Sequence, residues 1–335
     1  MSNNKHTLTN LERIKQVIVD GEQPLYEMFH NERVGRILSD VTLEKSLYHG
    51  QPSKRSLRIK FVDKGQDLAI IFGLKSGLFG EKYLQAISGD GHEARRIRTL
   101  HSSSLISLLC FYGVSEERPL HLSFDNRDVL FTETSFEVKN PVGIDENGKN
   151  HESNMDVVLT GKDVKTHKPV ILFLESKFSE YLSWGTYSGI SNHVYGEIYS
   201  QLSRGKCLER MGLKYENDSD NKGYSTLSSI TGRTRHYAGG IKQMISHYLG
   251  VGNAAESKEY KGYDIYLGEI LYRFPDSIDH KGHRFRDYDH LYRVLAEGLN
   301  ELSEGRFKTL GYCLTYQDVF KAFDLDDSVR AFYFL

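Results

Sequence analysis

The chain has 335 residues, 39% hydrophobic and 26% charged, with six prolines and no repeat or low-complexity tract, which excludes a disordered or fibrous protein. A formal net charge of -2 excludes a global positive field, so any hold on a polyanion has to come from local basic clusters. Cys110, Cys207 and Cys313 are scattered and form no C-x-x-C pair, which argues against a disulfide framework and a structural zinc site and fits a reducing cytoplasm. The opening residues MSNNKHTLTN have no signal-peptide core, and no apolar run reaches membrane length, so neither secretion nor membrane spanning is expected.

Leu11, Ile14, Val17 and Ile18 recur at helical spacing behind Thr9 or Asn10 as N-cap, and Gly21 marks a stop. A second helix is expected over 24–48, ending near Gly50, with Gln51 to Ser56 as a polar break. Residues 1–90 therefore read as a helical N-terminal arm and 91–335 as one catalytic domain. From Asp63 to Gly91 the glycines obscure the pattern. His101 to Tyr112 carries Leu105, Leu108, Leu109 and Phe111 on one face and reads as a buried helix.

Val129 to Val138 is rich in Phe and Thr, as a strand is, and a Gly- and Asn-rich loop is expected from Asn140 to Asn150. Met155 to Leu159 and Val170 to Leu174 are short apolar runs joined by the charged turn GKDVKTHK, a hairpin. The second run is apolar at five consecutive positions, so helices must cover both faces of its sheet. Helices are expected over 194–212 and 237–249, separated by a polar stretch from Glu216 to Gly232, with Gly250 as the stop of the second. Tyr263 to Phe274 reads as a strand, Leu291 to Leu302 as an amphipathic helix and Gly311 to Tyr316 as a last strand. The order of elements predicts an α/β fold with a mixed central sheet flanked by helices.

The chemistry-bearing segment is SNMDVVLTGKDVKTHKPVILFLESKFSE, residues 153–180. Residues two apart on a strand share a face, so Glu175 and Lys177 point the same way at the exit of a buried strand. Asp156 opens the neighbouring strand, and hairpin pairing brings its carboxylate beside them. Two oxygen ligands and a lysine then converge at one end of the sheet. Magnesium is held by one or two carboxylates, with water and substrate phosphate completing its shell. Hydrolysis of a phosphodiester also needs compensation of charge on the phosphoryl oxygens. Lysine has an ordinary pKa of about 10.4, which suits Lys177 to orientation and charge stabilisation better than to base catalysis.

The arrangement D-x(18)-E-x-K across adjacent strands resembles the PD-(D/E)XK nuclease superfamily. More narrowly, the helix with HSSSLISLLCFYG, the strand with SFE, NMDVVL and FLESKFSE are similar to a group of bacterial proteins assigned as restriction endonucleases, over roughly residues 95–250. The resemblance implies a restriction-endonuclease-like sheet, magnesium (with manganese as a substitute) and double-stranded DNA as substrate. It makes Asp156, Glu175 and Ser176 the metal-holding positions and Lys177 the lysine of the motif. Met155 stands where the family name has proline.

Glu137, late on the preceding strand, is a further acidic candidate, and Glu133 lies four residues before it. Gln243 sits on the helix where related nucleases present a glutamine. Glu180, Glu197 and Gln201 are weaker candidates, and His247 reads as an interfacial helix residue. Basic clusters occur at Arg95, Arg96 and Arg98, at Arg204 and Lys206, at Arg233, Arg235 and His236, and at Arg284 and Arg286. Arg233 and Arg235, just before the Gln243 helix, are the expected phosphate contacts. His280, His283, Asp287, Asp289 and His290 match no zinc spacing. The expectation is a type II-like restriction endonuclease that acts as a homodimer on two strands, with a cognate DNA methyltransferase as partner. The rivals are an inactive DNA-binding module of the same fold and a DNA-repair or structure-specific nuclease.

Overall fold

Val170 to Leu174 has no polar side chain, and a strand of that kind is stable only where both of its faces are covered. In the computed structural model it lies inside a seven-stranded sheet, with every residue from Val170 to Lys177 buried. The structure describes residues 42–48, 51–60, 77–89 and a few isolated positions between 68 and 97. It further describes 102–333 apart from 179–180, 182–186, 218–222, 231–237 and 275–282. The first helix, Glu180 and the clusters at Arg95, Arg96 and Arg98 and at Arg233, Arg235 and His236 lie outside the described residues. The chain divides into two compact units, one formed by Met1–Gly113 with Phe323–Leu335 and the other by Val114–Ala322.

In the first unit, β1 (Thr42–Tyr48) pairs antiparallel with β2 (Gln51–Lys60). This corrects the expected helical arm over its last residues: the end of the 24–48 helix is strand, and the polar break at Gln51 is the start of its partner. Leu57 and Ile59 alternate with Arg58 and Lys60, a period of two that belongs to a strand. Helices α1 (Phe79–Ala86) and α2 (Ser103–Phe111) follow. Helix α2 lies where expected because Ser102 caps it, its Oγ accepting from the Leu105 N–H at 3.2 Å, and because Leu105, Leu108, Leu109 and Phe111 are buried.

The second unit opens with an antiparallel run of β3 (Leu120–Phe124), β4 (Arg127–Ile144), β5 (Asn150–Asp163) and β6 (Pro169–Lys177). The loop expected over Asn140–Asn150 shrinks to a tight turn, since Asp145 Oδ1 accepts from the N–H groups of Asn147 and Lys149, both at 2.9 Å. The GKDVKTHK hairpin is present, closed in the same way by Asp163 Oδ1 on the N–H groups of Lys165 and Thr166. Next come β7 (Tyr187–Ser191), α3 (Asn192–Arg204), α4 (Cys207–Arg210), β8 (Leu213–Asn217) and β9 (Tyr224–Ser229). The helix expected over 194–212 is thus two, broken where Lys206 turns left-handed at φ 57°. The polar stretch from Glu216 holds β9 and the end of β8, which form a three-stranded sheet in the order β7-β9-β8. Ser225 and Leu227 alternate inward there, a pattern masked by the many serines.

Helix α5 (Ala238–Ala255), β10 (Asp264–Leu271), α6 (His283–Leu302), β11 (Lys308–Thr309), β12 (Leu314–Thr315) and α7 (Tyr316–Ala322) complete this unit. The large sheet runs β11-β10-β6-β5-β4-β3, with β12 also on β10. Its β10–β6 and β10–β11 pairs are parallel and the rest of that path antiparallel, so it is a mixed sheet flanked by helices. The strand expected over Gly311–Tyr316 is cut to two residues because Thr315 Oγ1 accepts from the Asp318 N–H and Tyr316 begins α7. Helix α8 (Asp327–Tyr333) returns the chain to the first unit. Among the described residues no helix is long and apolar enough to cross a membrane.

Helix α5 lies against β4, β5 and β10 and runs five residues past the expected stop at Gly250. That glycine marks a close crossing: a Cβ there would overlap Ser153 Oγ and stand 3.0 Å from Asn140 Cβ. Alanine is the better helix former by about 1 kcal/mol. The overlap outweighs this, so Gly250→Ala is expected to lose roughly 1–3 kcal/mol in urea denaturation. A variant as stable as the parent would show that the crossing is not tight.

Candidate active site

Strands β5 and β6 pair from Lys162–Pro169 as far as Val157–Leu174 and then separate. Beyond that point β5 stays with β4 through Val138–Met155, while β6 stays with β10 up to Lys177–Leu271. At the fork the ladder between the two strands gives way to a side chain, as the Ser176 N–H donates to Asp156 Oδ2 at 2.7 Å. On the opposite face of β6, Ser176 Oγ shares a hydrogen bond of 2.6 Å with the Tyr316 hydroxyl. The residue between the acid and the lysine is therefore pinned from two directions.

Glu175 and Lys177 lie on one face, only 3% and 5% exposed. The Lys177 ammonium donates to Glu175 Oε1 and to Gln243 Oε1, the latter at 2.8 Å. His247 brings Nε2 to 2.7 Å from the other oxygen, Oε2. The contact is close but does not have the geometry of a hydrogen bond. Burial by itself would raise the Glu175 carboxyl, but the charges of Lys177 and His247 outweigh it and bring the pKa down to about 2.

Asp156 follows the opposite logic. Desolvation first, then the negative charges of Glu175 and Glu137, push its carboxyl well above the usual range, and Lys177 and the Ser176 N–H offset only part of this. Glu137 lies between the pairs Phe136–Val157 and Val138–Met155, across from Asp156, and is buried. Its backbone is left-handed at φ 50°, which costs an ordinary residue about 1–2 kcal/mol. A strained, buried acid beside a second acid is the kind of outlier that functional sites hold.

The structure therefore brings together Asp156, Glu175, Ser176, Lys177, Glu137 and Gln243. It leaves out Glu133, which is exposed beside Thr160. Glu197 and Gln201 bond to each other on the surface of α3, and Glu197 also holds Arg204 of a basic cluster. Asp289 accepts from the Cys313 N–H and pairs with Arg293, a role in the packing of α6.

His247 is interfacial as expected, buried where α5 meets β6, and it is also the neighbour of Glu175, a contact whose signal was its place one helical turn after Gln243. Glu269 was missed altogether. It stands in register with Glu175 on the parallel strand β10, is fully buried and accepts from the Tyr288 hydroxyl at 3.0 Å. Burial and then Glu269 push that hydroxyl well above its ordinary pKa. A lone acid inside Leu267-Gly268-Glu269-Ile270-Leu271 repeats the pattern of Leu174-Glu175-Ser176 and was the legible clue.

Among the described residues no three His, Cys, Asp or Glu side chains are grouped so as to hold a metal ion. Asp156 and Glu175 offer two oxygen donors, and one or two carboxylates are what a hard cation such as magnesium takes from a protein. Compared with protein-family models, curated proteins and solved structures, the chain matches none.

A carboxyl whose folded pKa is raised keeps its proton in the native state after the unfolded chain has lost it, so its contribution to stability falls as pH rises. Glu175 acts in reverse, stabilising above its ordinary 4.5 and losing that contribution as pH falls toward 2. Without divalent cation, Asp156→Asn is therefore expected to be more stable than the parent at pH 7, by about 0.5–2 kcal/mol. The gap should narrow as pH approaches the ordinary aspartate value of about 3.9. Urea denaturation at pH 7 and pH 5 measures it; a variant less stable at pH 7 would contradict the repulsion.

Proposed function

We propose that the chain is a magnesium-dependent endonuclease that hydrolyses phosphodiester bonds of double-stranded DNA, with a restriction-endonuclease-like arrangement of sheet and motif. The observation that carries the reading is the meeting of Asp156, Glu175 and Lys177 at the fork between two strands. The D-x(18)-E-x-K resemblance supports it.

In this reading Asp156 and Glu175 hold magnesium, with the Ser176 N–H steadying Asp156 and Glu137 adding negative charge beside it. When bound, the ion supplies Lewis-acid polarisation of a phosphoryl oxygen and a more acidic water. Lys177 is fixed before any substrate arrives, since Glu175 and Gln243 both hold its ammonium, and a charge already in place costs no reorganisation during reaction. It acts by stabilising charge on the phosphoryl oxygens and orienting the attacking water. Gln243 is exposed, and its amide Nε2 makes no hydrogen bond to a described residue, which leaves that donor for the same water or for a phosphate oxygen. Arg233 and Arg235 are the proposed backbone contacts. Cutting both strands calls for a homodimer, and manganese is the expected substitute metal. A cytoplasmic setting with a cognate DNA methyltransferase belongs to the same proposal.

A second reading, a DNA-binding module without catalysis, draws support from Glu175, both of whose oxygens are engaged within the protein. Plasmid cleavage with and without magnesium separates the two. The parent should cut only with magnesium, and Asp156→Asn and Lys177→Ala should each lose at least about a hundredfold in rate. Lys177→Ala leaves a buried carboxylate short of a partner and is expected to lose about 3–5 kcal/mol of stability as well. It is therefore assayed at a temperature where circular dichroism shows it folded. Unchanged cutting by either variant removes that residue from the mechanism, and no cutting by the parent favours the binding module.

A further inference from the structure

Gln243 and His247 are four residues apart on α5, about 6 Å of axial rise. Glu175 and Lys177 are two residues apart on β6, about 6.6 Å. The two spacings match, and the contacts run in opposite chain directions: Gln243 meets Lys177 and His247 meets Glu175. One turn of helix thus locks both charged side chains of the motif. His247 is only 4% exposed, and its nearest polar group is the Glu175 carboxylate. Neither ring nitrogen has a hydrogen-bond partner among the described residues, and the Glu175 carboxylate is the group that Nε2 faces. An imidazole taken out of water is unfavourable unless its polar atoms are used, and a leucine would fill the place at less cost. Without His247, Glu175 Oε2 would lose its neighbour and the carboxylate would be anchored through Oε1 alone.

We infer that His247 is a positioning residue which fixes the orientation of the Glu175 carboxylate and so sets the affinity of the Asp156–Glu175 pair for a divalent cation. The inference rests on the reading of this site as a metal centre. Groups that orient a ligating carboxylate cost about 10–100-fold in metal affinity when removed.

The test is titration of the full-length protein with Mn2+ alone, followed by electron paramagnetic resonance of the free ion. His247→Gln keeps an amide N–H at the depth of Nε2, whereas His247→Asn moves it back to the depth of Nδ1. His247→Leu removes it. The glutamine variant should bind Mn2+ within a few-fold of the parent, and the asparagine and leucine variants about tenfold or more weakly. A role in packing alone would not separate glutamine from asparagine. The asparagine variant also keeps the test open if leucine does not fold. Equal affinity in all variants overturns the inference, as does no binding by the parent. Tighter binding by the leucine variant overturns it too, since the imidazole would then compete with the cation. A parent that binds Mn2+ but leaves plasmid DNA intact counts against the endonuclease alone, because the Mn2+ titration is read without DNA.

Discussion

Pairing between two adjacent strands normally continues until a turn or an edge ends it. Here β5 and β6 part in mid-course, and the Asp156 carboxylate takes the Ser176 N–H at the point of separation. That substitution of a side chain for a ladder bond organises the site. It fixes Asp156 beside Glu175, pins the backbone between Glu175 and Lys177, and opens a gap over which α5 lies. Because β4 follows β5 and β10 follows β6, each side of the fork remains part of a continuous sheet, and the opening costs few backbone hydrogen bonds.

The electrostatics depend on helix α5 coming close. Gly250 permits the crossing over β4 and β5, and at the other end Gly240 leaves room for the Tyr288 hydroxyl, which a Cβ would meet at 2.8 Å. Between these two glycines Gln243 and His247 reach the motif. The result is an uneven division of charge, with Glu175 well paired and Asp156 poorly compensated. A local deficit of positive charge of this kind costs folding stability, and under the proposed function a bound cation would offset it.

Much of the second unit is legible in the residues. The apolar run at Val170–Leu174 locates the covered strand, GKDVKTHK locates the hairpin, and the parity of Glu175 and Lys177 places them on one face. The failures have physical causes. Gly250 reads as a helix stop in a single sequence, yet serves interhelix–sheet clearance that only the third dimension reveals. The serines of β9 hide an alternation, and the hairpin β1–β2 lies in a stretch where Leu43 and Leu47 fit either period. Glu137 is visible as a candidate, but its left-handed backbone is not. His247 and Glu269 come from segments distant in sequence, and their local clues, a place one turn after Gln243 and a lone acid in an apolar run, do not say that they meet Glu175.

The in-register placement of Glu175 and Glu269 on parallel strands also bears on how the protein acquires its structure. Strands β3 to β6 are consecutive and joined by short turns, so they can associate with little loss of chain entropy. Strand β10 arrives only after a long excursion through a second sheet and α5, and parallel pairing over such a separation is intrinsically slow. The pairing of β6 with β10, which sets Glu269 in register with Glu175 and buries both, is thus the long-range contact on which this part of the sheet depends.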